Sequence, residues 1–279
     1  SRRDAPAEPQ PLTAGASRLV VSDAPDPANR LEVNALVLQS GVTTVAFCVI
    51  DTAALDRSLV EAVANRLQAE GSSVNADTLW LSATGVPTGR YPGLLRNPVQ
   101  ECVFGPFDKA AFDEAAGHAA EAVRAAETAL RPARLRIGEA EAPEFQELRS
   151  DGGATADATL SVLGVETDQG EPLAYLLNYA LEPPPLLASS ESGKGATATA
   201  HRGAPGVVAQ AIRETAGGEI PVLFLQGATG DIAPRPLEGA PAALGQGLAQ
   251  AALEALKNSV PRGMVQMRCL RRTAPMPPT

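Results

Sequence analysis

Apolar residues recur along the chain in two rhythms, short β-like runs and longer stripes of helical period, and their alternation predicts an α/β protein. Leu19 to Val21 predicts a first strand, Pro25 and Pro27 turn the chain, and the runs Val33 to Leu38 and Thr43 to Ile50 predict a hairpin closed at Ser40-Gly41. After Asp51, residues Leu55, Leu59, Val60, Val63 and Leu67 follow helical spacing over Leu55 to Gln68, with Gly71 as the stop. Thr78 to Ser82 predicts a further strand, and the Gly and Pro of Ala83 to Gly89 an irregular loop. Phe107 to Leu130 is the most helical stretch: it is Ala-rich, Phe112, Ala116, Ala119, Val123, Ala126 and Leu130 share a stripe, and Asp113, Glu114, Glu121 and Glu127 fall on the exposed faces. Pro132 ends it. Ala158 to Glu166 and Pro172 to Ala180 predict an antiparallel pair around Asp168-Gln169-Gly170. A Pro-, Ser-, Gly- and Thr-rich loop over Leu181 to Gly203 precedes a helix from Pro205 to Thr215. A strand from Val222 to Leu225, a glycine-bearing turn through Pro234 and a helix from Ala242 to Leu256 follow. The expected fold is α/β, a mixed sheet flanked by helices.

Composition adds boundaries to this pattern. At 279 residues with 44% hydrophobic and 20% charged residues, the chain can bury a large core, which excludes intrinsic disorder. Residues 1–13, with three prolines and no apolar period, read as an extended arm, 14–262 as the α/β domain, and 263–279 as a basic, proline-containing tail. The net charge of −9 argues against nucleic acid as a partner. No stretch reaches the length of a bilayer-spanning helix. Three cysteines fit neither a zinc knuckle nor a disulfide framework. Cys48 sits in an apolar run as a small buried hydrophobe, and Cys102 with Cys269 is the one optional bridge.

Candidate chemistry is sparse, because the chain has only His118 and His201. His118 falls inside the long Ala-rich helix, with Glu114 and Glu121 as its only acidic neighbours there, and reads as a structural residue. His201, in the loop before a helix, is better placed for function but has no partner at metal-ligand spacing. Gly227-Ala228-Thr229-Gly230-Asp231 reads equally as a phosphate cradle without the P-loop Lys or as a tight turn whose Asp231 bonds local backbone. Glu182 and Glu191 flank Pro183-Pro184-Pro185 and are candidate acid and base or solvated loop carboxylates. Ligands of open α/β sheets bind beyond the carboxyl ends of strands. The loops after Ser82 and Leu225 are therefore expected to meet in one crevice lined by Thr84, Gly85, Asn178, Gln226, Gly227 and Gly230, at the ends of neighbouring strands.

Several segments, in order and spacing, resemble the amino-terminal domain of the neutral/alkaline, non-lysosomal ceramidase family. They are Ala14-Gly15-Ala16, Asn34 to Leu38, Val49-Ile50-Asp51, Leu81 to Thr84, Phe104 to Asp108, Leu130 to Ala133, Gly170 to Ala174 with Asn178-Tyr179-Ala180, and above all Phe224 to Pro234. The resemblance implies that domain's fold, and a site where a zinc-bound water hydrolyses the amide of ceramide. Yet Gly85 and Pro87 stand where the Thr-His-Thr-His-Ser-Gly-Pro loop has its histidines, and Glu182 where an Asn-containing segment has its His. Thr199-Ala200-His201-Arg202-Gly203 replaces a Ser-Ala-Asp-Tyr-Pro-Gly block, and Ala233 replaces a Ser. A catalytic zinc needs about three protein ligands, so no metal, no cofactor and no catalytic residue are expected. The implied role is a catalytically degenerate binding or structural subunit, extracytoplasmic like its relatives. It would meet a protein partner through the arm, the Leu181 to Leu187 loop or the tail with Arg268, Arg271 and Arg272. Two alternatives stay open: a hydrolase of altered chemistry built on Glu182, His201 and Asp231, and a lipid or small-ligand binder.

Overall fold

A computed structural model describes residues 8–86, 90–91, 94–96, 106–149, 156–181, 202–235 and 242–270. Strands β1 (Gln10–Ser22), β2 (Leu31–Ser40) and β3 (Thr43–Ile50) run antiparallel to one another. Helix α1 (Arg57–Ala69) begins where the Asp56 carboxylate accepts from the Ser58 N–H, and it returns the chain to β4 (Leu79–Ala83), parallel to β3. Helix α2 (Lys109–Thr128) is capped in the same way, Asp108 accepting from the Ala110 and Ala111 N–H groups. Strands β5 (Arg131–Glu141), β7 (Thr159–Thr167) and β8 (Pro172–Tyr179) then form an antiparallel meander. Helix α3 (Gly203–Ala216) leads to β9 (Val222–Gln226), parallel to β8. Strand β6 (Gln146–Leu148) pairs separately with β10 (Ile232–Pro234), and helix α4 (Ala242–Lys257) precedes the short β11 (Met264–Val265) on the start of β1.

The hydrogen-bonded path runs β4-β3-β2-β1-β5-β7-β8-β9, and it folds back on itself at the narrow β1–β5 pairing of Thr13 with Pro132 and Ala14 with Arg131. Three cores result. Val33, Ala35, Val37, Cys48 and Ile50 face α1 and α2 on one outside, and Leu160, Val162, Leu177 and Phe224 face α3 and α4 on the other. Between the halves lie Leu12, Leu36, Leu38, Val49, Val165, Leu176 and Leu223, with no helix among them. The order of layers is therefore helix, sheet, sheet, helix, and the alternation of side chains along each strand feeds one core inward and another outward.

The expected mixed sheet with flanking helices is present, while two details differ. β4 and β9 are not neighbours but the opposite ends of the strand path, and only the fold-back brings their carboxyl ends together. The second half of the strand path also holds a strand, β5, that the sequence pattern hides, because Pro132 reads as the end of a helix and Arg134, Arg136, Glu139 and Glu141 interrupt the apolar run. The first strand is much longer than Leu19 to Val21: Gln10 to Thr13, assigned to the arm, already pair with β2 and β11, and β11 lies in the expected tail. Arm residues 1–7 and tail residues 271–279 lie outside the described residues, as does Cys102 of the optional bridge.

Small residues at Thr13 to Ser17 weaken the strand signal for a packing reason. Helix α2 crosses β1 so closely that a Cβ on Gly15 would stand 2.1 Å from the Ala126 carbonyl oxygen and 2.8 Å from the Ala129 carbonyl carbon, both backbone atoms. Gly15→Ala is therefore expected to destabilise the protein by about 3 kcal/mol in urea denaturation. Gly117→Ala, on the same helix but with only the Arg66 guanidinium at 3.5 Å, should stabilise it by up to about 1 kcal/mol. Equal effects of the two would contradict the close α2–β1 contact.

Candidate functional site

The carboxyl ends of β3, β4, β8 and β9 gather at one end of the sandwich. Thr84, just past β4, is buried and fully engaged: its N–H donates to the Ile50 carbonyl at 3.1 Å, its hydroxyl to Asp51 Oδ1 at 3.0 Å, and its carbonyl accepts from Gln226 Nε2 at 2.9 Å. Gly85 follows with φ +81°, and its N–H donates to the Thr52 carbonyl at 3.0 Å. Across the gap Asn178 Nδ2 donates to the Leu225 carbonyl at 3.3 Å, and the Gly227 N–H to the Tyr179 carbonyl at 3.0 Å. Thr84, Gly85, Asn178, Gln226 and Gly227 thus sit at the meeting strand ends. Gly230 and Asp231 are exposed in the turn before β10, where the Asp231 carbonyl accepts from the Arg149 N–H at 2.8 Å. Glu182, Glu191 and His201 lie outside the described residues. His118 is half-buried on α2, its Nδ1 2.6 Å from the Tyr91 hydroxyl.

Beneath these loops is a charge cluster that a search for catalytic motifs passes over. Glu32 is 0% and Arg202 2% exposed, and Asp51 and Arg213 are equally enclosed. Arg213 forks onto both Glu32 oxygens at 3.0 and 2.7 Å while its Nε donates to the Ile220 carbonyl at 2.9 Å. Arg202, at the start of α3, reaches Asp51 Oδ2 at 2.5 Å and Glu32 Oε2 at 3.2 Å. Asp51 Oδ2 accepts from the Glu32 N–H at 2.7 Å. Arg18 adds Nε to Glu32 Oε1 at 2.7 Å and pairs outward with Glu219. Asn34 Nδ2 donates to Glu32 Oε2 at 3.0 Å. The cluster joins β1, β2, β3 and α3.

Burial pushes the Glu32 carboxyl up, yet the Arg202 and Arg213 charges outweigh it and hold the group at about 2. Asp51 goes the other way: loss of water around it raises its pKa despite Arg202. Burial also lowers Arg213, whereas Asp51 and Glu32 keep Arg202 raised against its own desolvation. The signal for this cluster lay in the sequence as Glu32 between Leu31 and Val33, the one charged residue of a strand that is otherwise apolar or neutral.

The donor set that the described residues offer here does not fit a zinc ion. Among the described residues no three His, Cys, Asp or Glu side chains stand where they could share a metal. The loop after β4 offers glycine at a left-handed φ, and both carboxylates beneath it are saturated by arginines. Chemically the arrangement ties strand ends together, with Asn34 Oδ1 and Gln226 Oε1 as buried acceptors that lack a donor among the described residues.

With the geometry in place, comparison with known proteins defines the class of fold. The neutral ceramidase of Pseudomonas aeruginosa superposes with a TM-score of 0.75 at 15% identity, over 89% of this chain and 45% of that one. A structure of ceramidase complexed with C2 matches with the same TM-score and identity, over 89% of this chain and 44% of that one. The chain has a ceramidase-like α/β fold and spans less than half the length of these enzymes. No protein-family model and no curated protein sequence matches it. No described helix is long and apolar enough to cross a membrane.

Glu32 and acid stability are linked in a defined direction. Its folded pKa of about 2 lies below the ordinary 4.5, so its ionised form favours the fold; the contribution is complete above the unfolded value and disappears as the pH falls from 4.5 toward 2. Asp51, shifted upward, opposes this above its ordinary 3.8 and regains stability on acidification. Glu32→Gln should cost about 3 to 5 kcal/mol at neutral pH, because it strands buried arginines. It should also flatten the loss of stability between pH 5 and 2, read by denaturant midpoints across that range. An unchanged acid profile in the variant would assign the acid transition to other groups.

Proposed function

We propose that this chain is a ceramidase-fold domain that serves as a binding or structural subunit of an extracytoplasmic assembly, and that it does not hydrolyse amides through zinc. One observation carries the reading. Gly85 stands where the resemblance places a histidine, and its φ of +81° is a backbone region in which a side chain with a Cβ is strained. The loop is shaped for glycine. Thr84 beside it is committed on three sides to Ile50, Asp51 and Gln226. The arginine–carboxylate cluster supports the same reading, since it takes up the acidic groups nearest these strand ends in holding the scaffold. A protein partner is assigned to the arm, the Leu181 to Leu187 loop and the basic tail, although Gln10 to Thr13 pair with β2 and β11 and Leu12 and Leu181 are buried in the cores, which leaves the contact to the rest of these segments. The solved neighbours are themselves named ceramidases, so ceramide is the substrate on which loss of activity is to be tested.

The test combines elemental analysis of untagged protein, after exposure to zinc and gel filtration, with a ceramide hydrolysis assay. Zinc well below one per chain, no turnover and a stoichiometric co-purifying protein are the expected results. One zinc per chain with turnover that Glu182→Ala abolishes would overturn the proposal in favour of a hydrolase built on Glu182, His201 and Asp231. Co-purifying lipid in place of protein would favour a lipid binder.

A further inference from the structure

The outer face of the second sheet carries a cavity lined by described residues. Helix α4 comes down onto β5 at Gly138, where a Cβ would stand 2.6 Å from the Ala255 carbonyl oxygen, and the helix ends at Lys257. Beside this contact an opening of about 280 Å³ is left between the last turn of α4 and the sheet. Gly164 of β7 is its floor. In the strand ladder Gly164 has Arg136 of β5 as its partner on one side and Tyr175 of β8 on the other, each about 5 Å away, so two long side chains flank a residue that has none. Leu253 and Leu256 of α4 close the recess, Leu256 so near that a Cβ on Gly164 would meet its Cδ1 at 3.0 Å.

The charges around the recess leave donors over. Glu166, the next residue along the same face of β7, is buried, and its two oxygens are taken by Arg134 Nη2 and Arg136 Nε, each at 2.8 Å. Arg136 Nη1 donates to the Ser259 carbonyl, which leaves Nη2 without a hydrogen bond among the described residues. The Tyr175 hydroxyl also has none there. Burial and the Glu166 charge raise the Tyr175 pKa against the pull of Arg136, so the phenol keeps a proton to donate at neutral pH. Lys257, at the rim, pairs with Glu254. We propose that this cavity binds a small organic carboxylate, held between Arg136 and the Tyr175 hydroxyl, with its apolar body over Gly164 and against Leu253 and Leu256. An anion with two oxygens in one plane is what a guanidinium and a neutral hydroxyl can share. Glu166 does not oppose it, being neutralised by two arginines. Size narrows the class: the volume falls at the lower end of the roughly 300 to 1,000 Å³ of ligand pockets, which suits a body of one ring or a short branched chain. The site lies on the α4 side of the second sheet, and its occupancy does not rest on the role proposed for the domain.

The probe is phenylacetate, with phenylacetamide as its uncharged counterpart, each titrated into the intact chain by isothermal calorimetry. Phenylacetate should bind once per chain with a Kd of about 0.1 to 1 mM, and phenylacetamide about tenfold more weakly. Tyr175→Phe, which keeps the ring and removes only the hydroxyl, should weaken phenylacetate about tenfold. Gly164→Val, which fills the floor, should remove binding while the far-UV circular dichroism stays native. Should Gly164→Val fail to fold, Tyr175→Phe carries the test alone. Absence of saturable phenylacetate binding, equal affinity for the amide, or an unchanged Kd in Tyr175→Phe would overturn the proposal.

Discussion

The neutralisation of Glu32 and Asp51 by Arg202 and Arg213, buried at one end of the space between the sheets, is the constraint on which the rest of the architecture depends. Two carboxylates projecting from adjacent strands at that depth would repel each other and forfeit their hydration. The guanidinium of Arg202, at the start of α3, and that of Arg213, near its end, answer both charges at once. The helix that covers the second sheet is thereby tied to strand ends of the first. A pair of sheets joined along a single short strand pairing could otherwise slide or open; the arginines bind the opposite margin.

The space between the sheets accordingly changes character along its length. Near the β1–β5 junction it is filled by Leu12, Leu36, Leu38 and Leu176, and at the other end by Glu32, Asn34, Asp51 and Thr84. In a ceramidase-like fold the polar end is where chemistry would be expected, because the carboxyl ends of parallel strands meet there. In this chain the two carboxylates at that end are fully engaged, while Asn34 Oδ1 and Gln226 Oε1 lack a donor among the described residues. Every Glu32 and Asp51 oxygen has an arginine, amide or hydroxyl against it. These ion pairs hold the layers together at that end of the sandwich.

Element type was largely legible from the residues. The helical spacing of α1, the Ala-rich stripe of α2 and the Asp168-Gln169-Gly170 turn each act within a few positions, so the periods and breakers that announce them are local. β5 was not legible, since its arginines are placed to meet Glu166 on β7, and without that partner they read as solvent-facing charge. The beginning of β1 was hidden for a similar reason: glycine and alanine there reflect the closeness of α2, which is not a property of the segment itself.

At the strand ends, the rule that ligands of open α/β sheets bind beyond strand carboxyl ends singled out Thr84, Gly85, Asn178, Gln226, Gly227 and Gly230, and the fold brings the first five to one end of the sandwich. It did so through a fold-back and not through neighbouring strands, because hydrophobic periodicity reports which face of a strand is buried and says nothing of which strand lies opposite. The charge cluster shows the same division. That Glu32 must be neutralised follows from one charged residue in a strand otherwise apolar or neutral, whereas the choice of Arg202 and Arg213, some 170 and 181 positions away along the chain, is settled only when α3 packs across the sheets. Local period, capping and turn chemistry were determined by the sequence itself, while partners distant along the chain were decided by tertiary packing, which selects among many arginines by geometry.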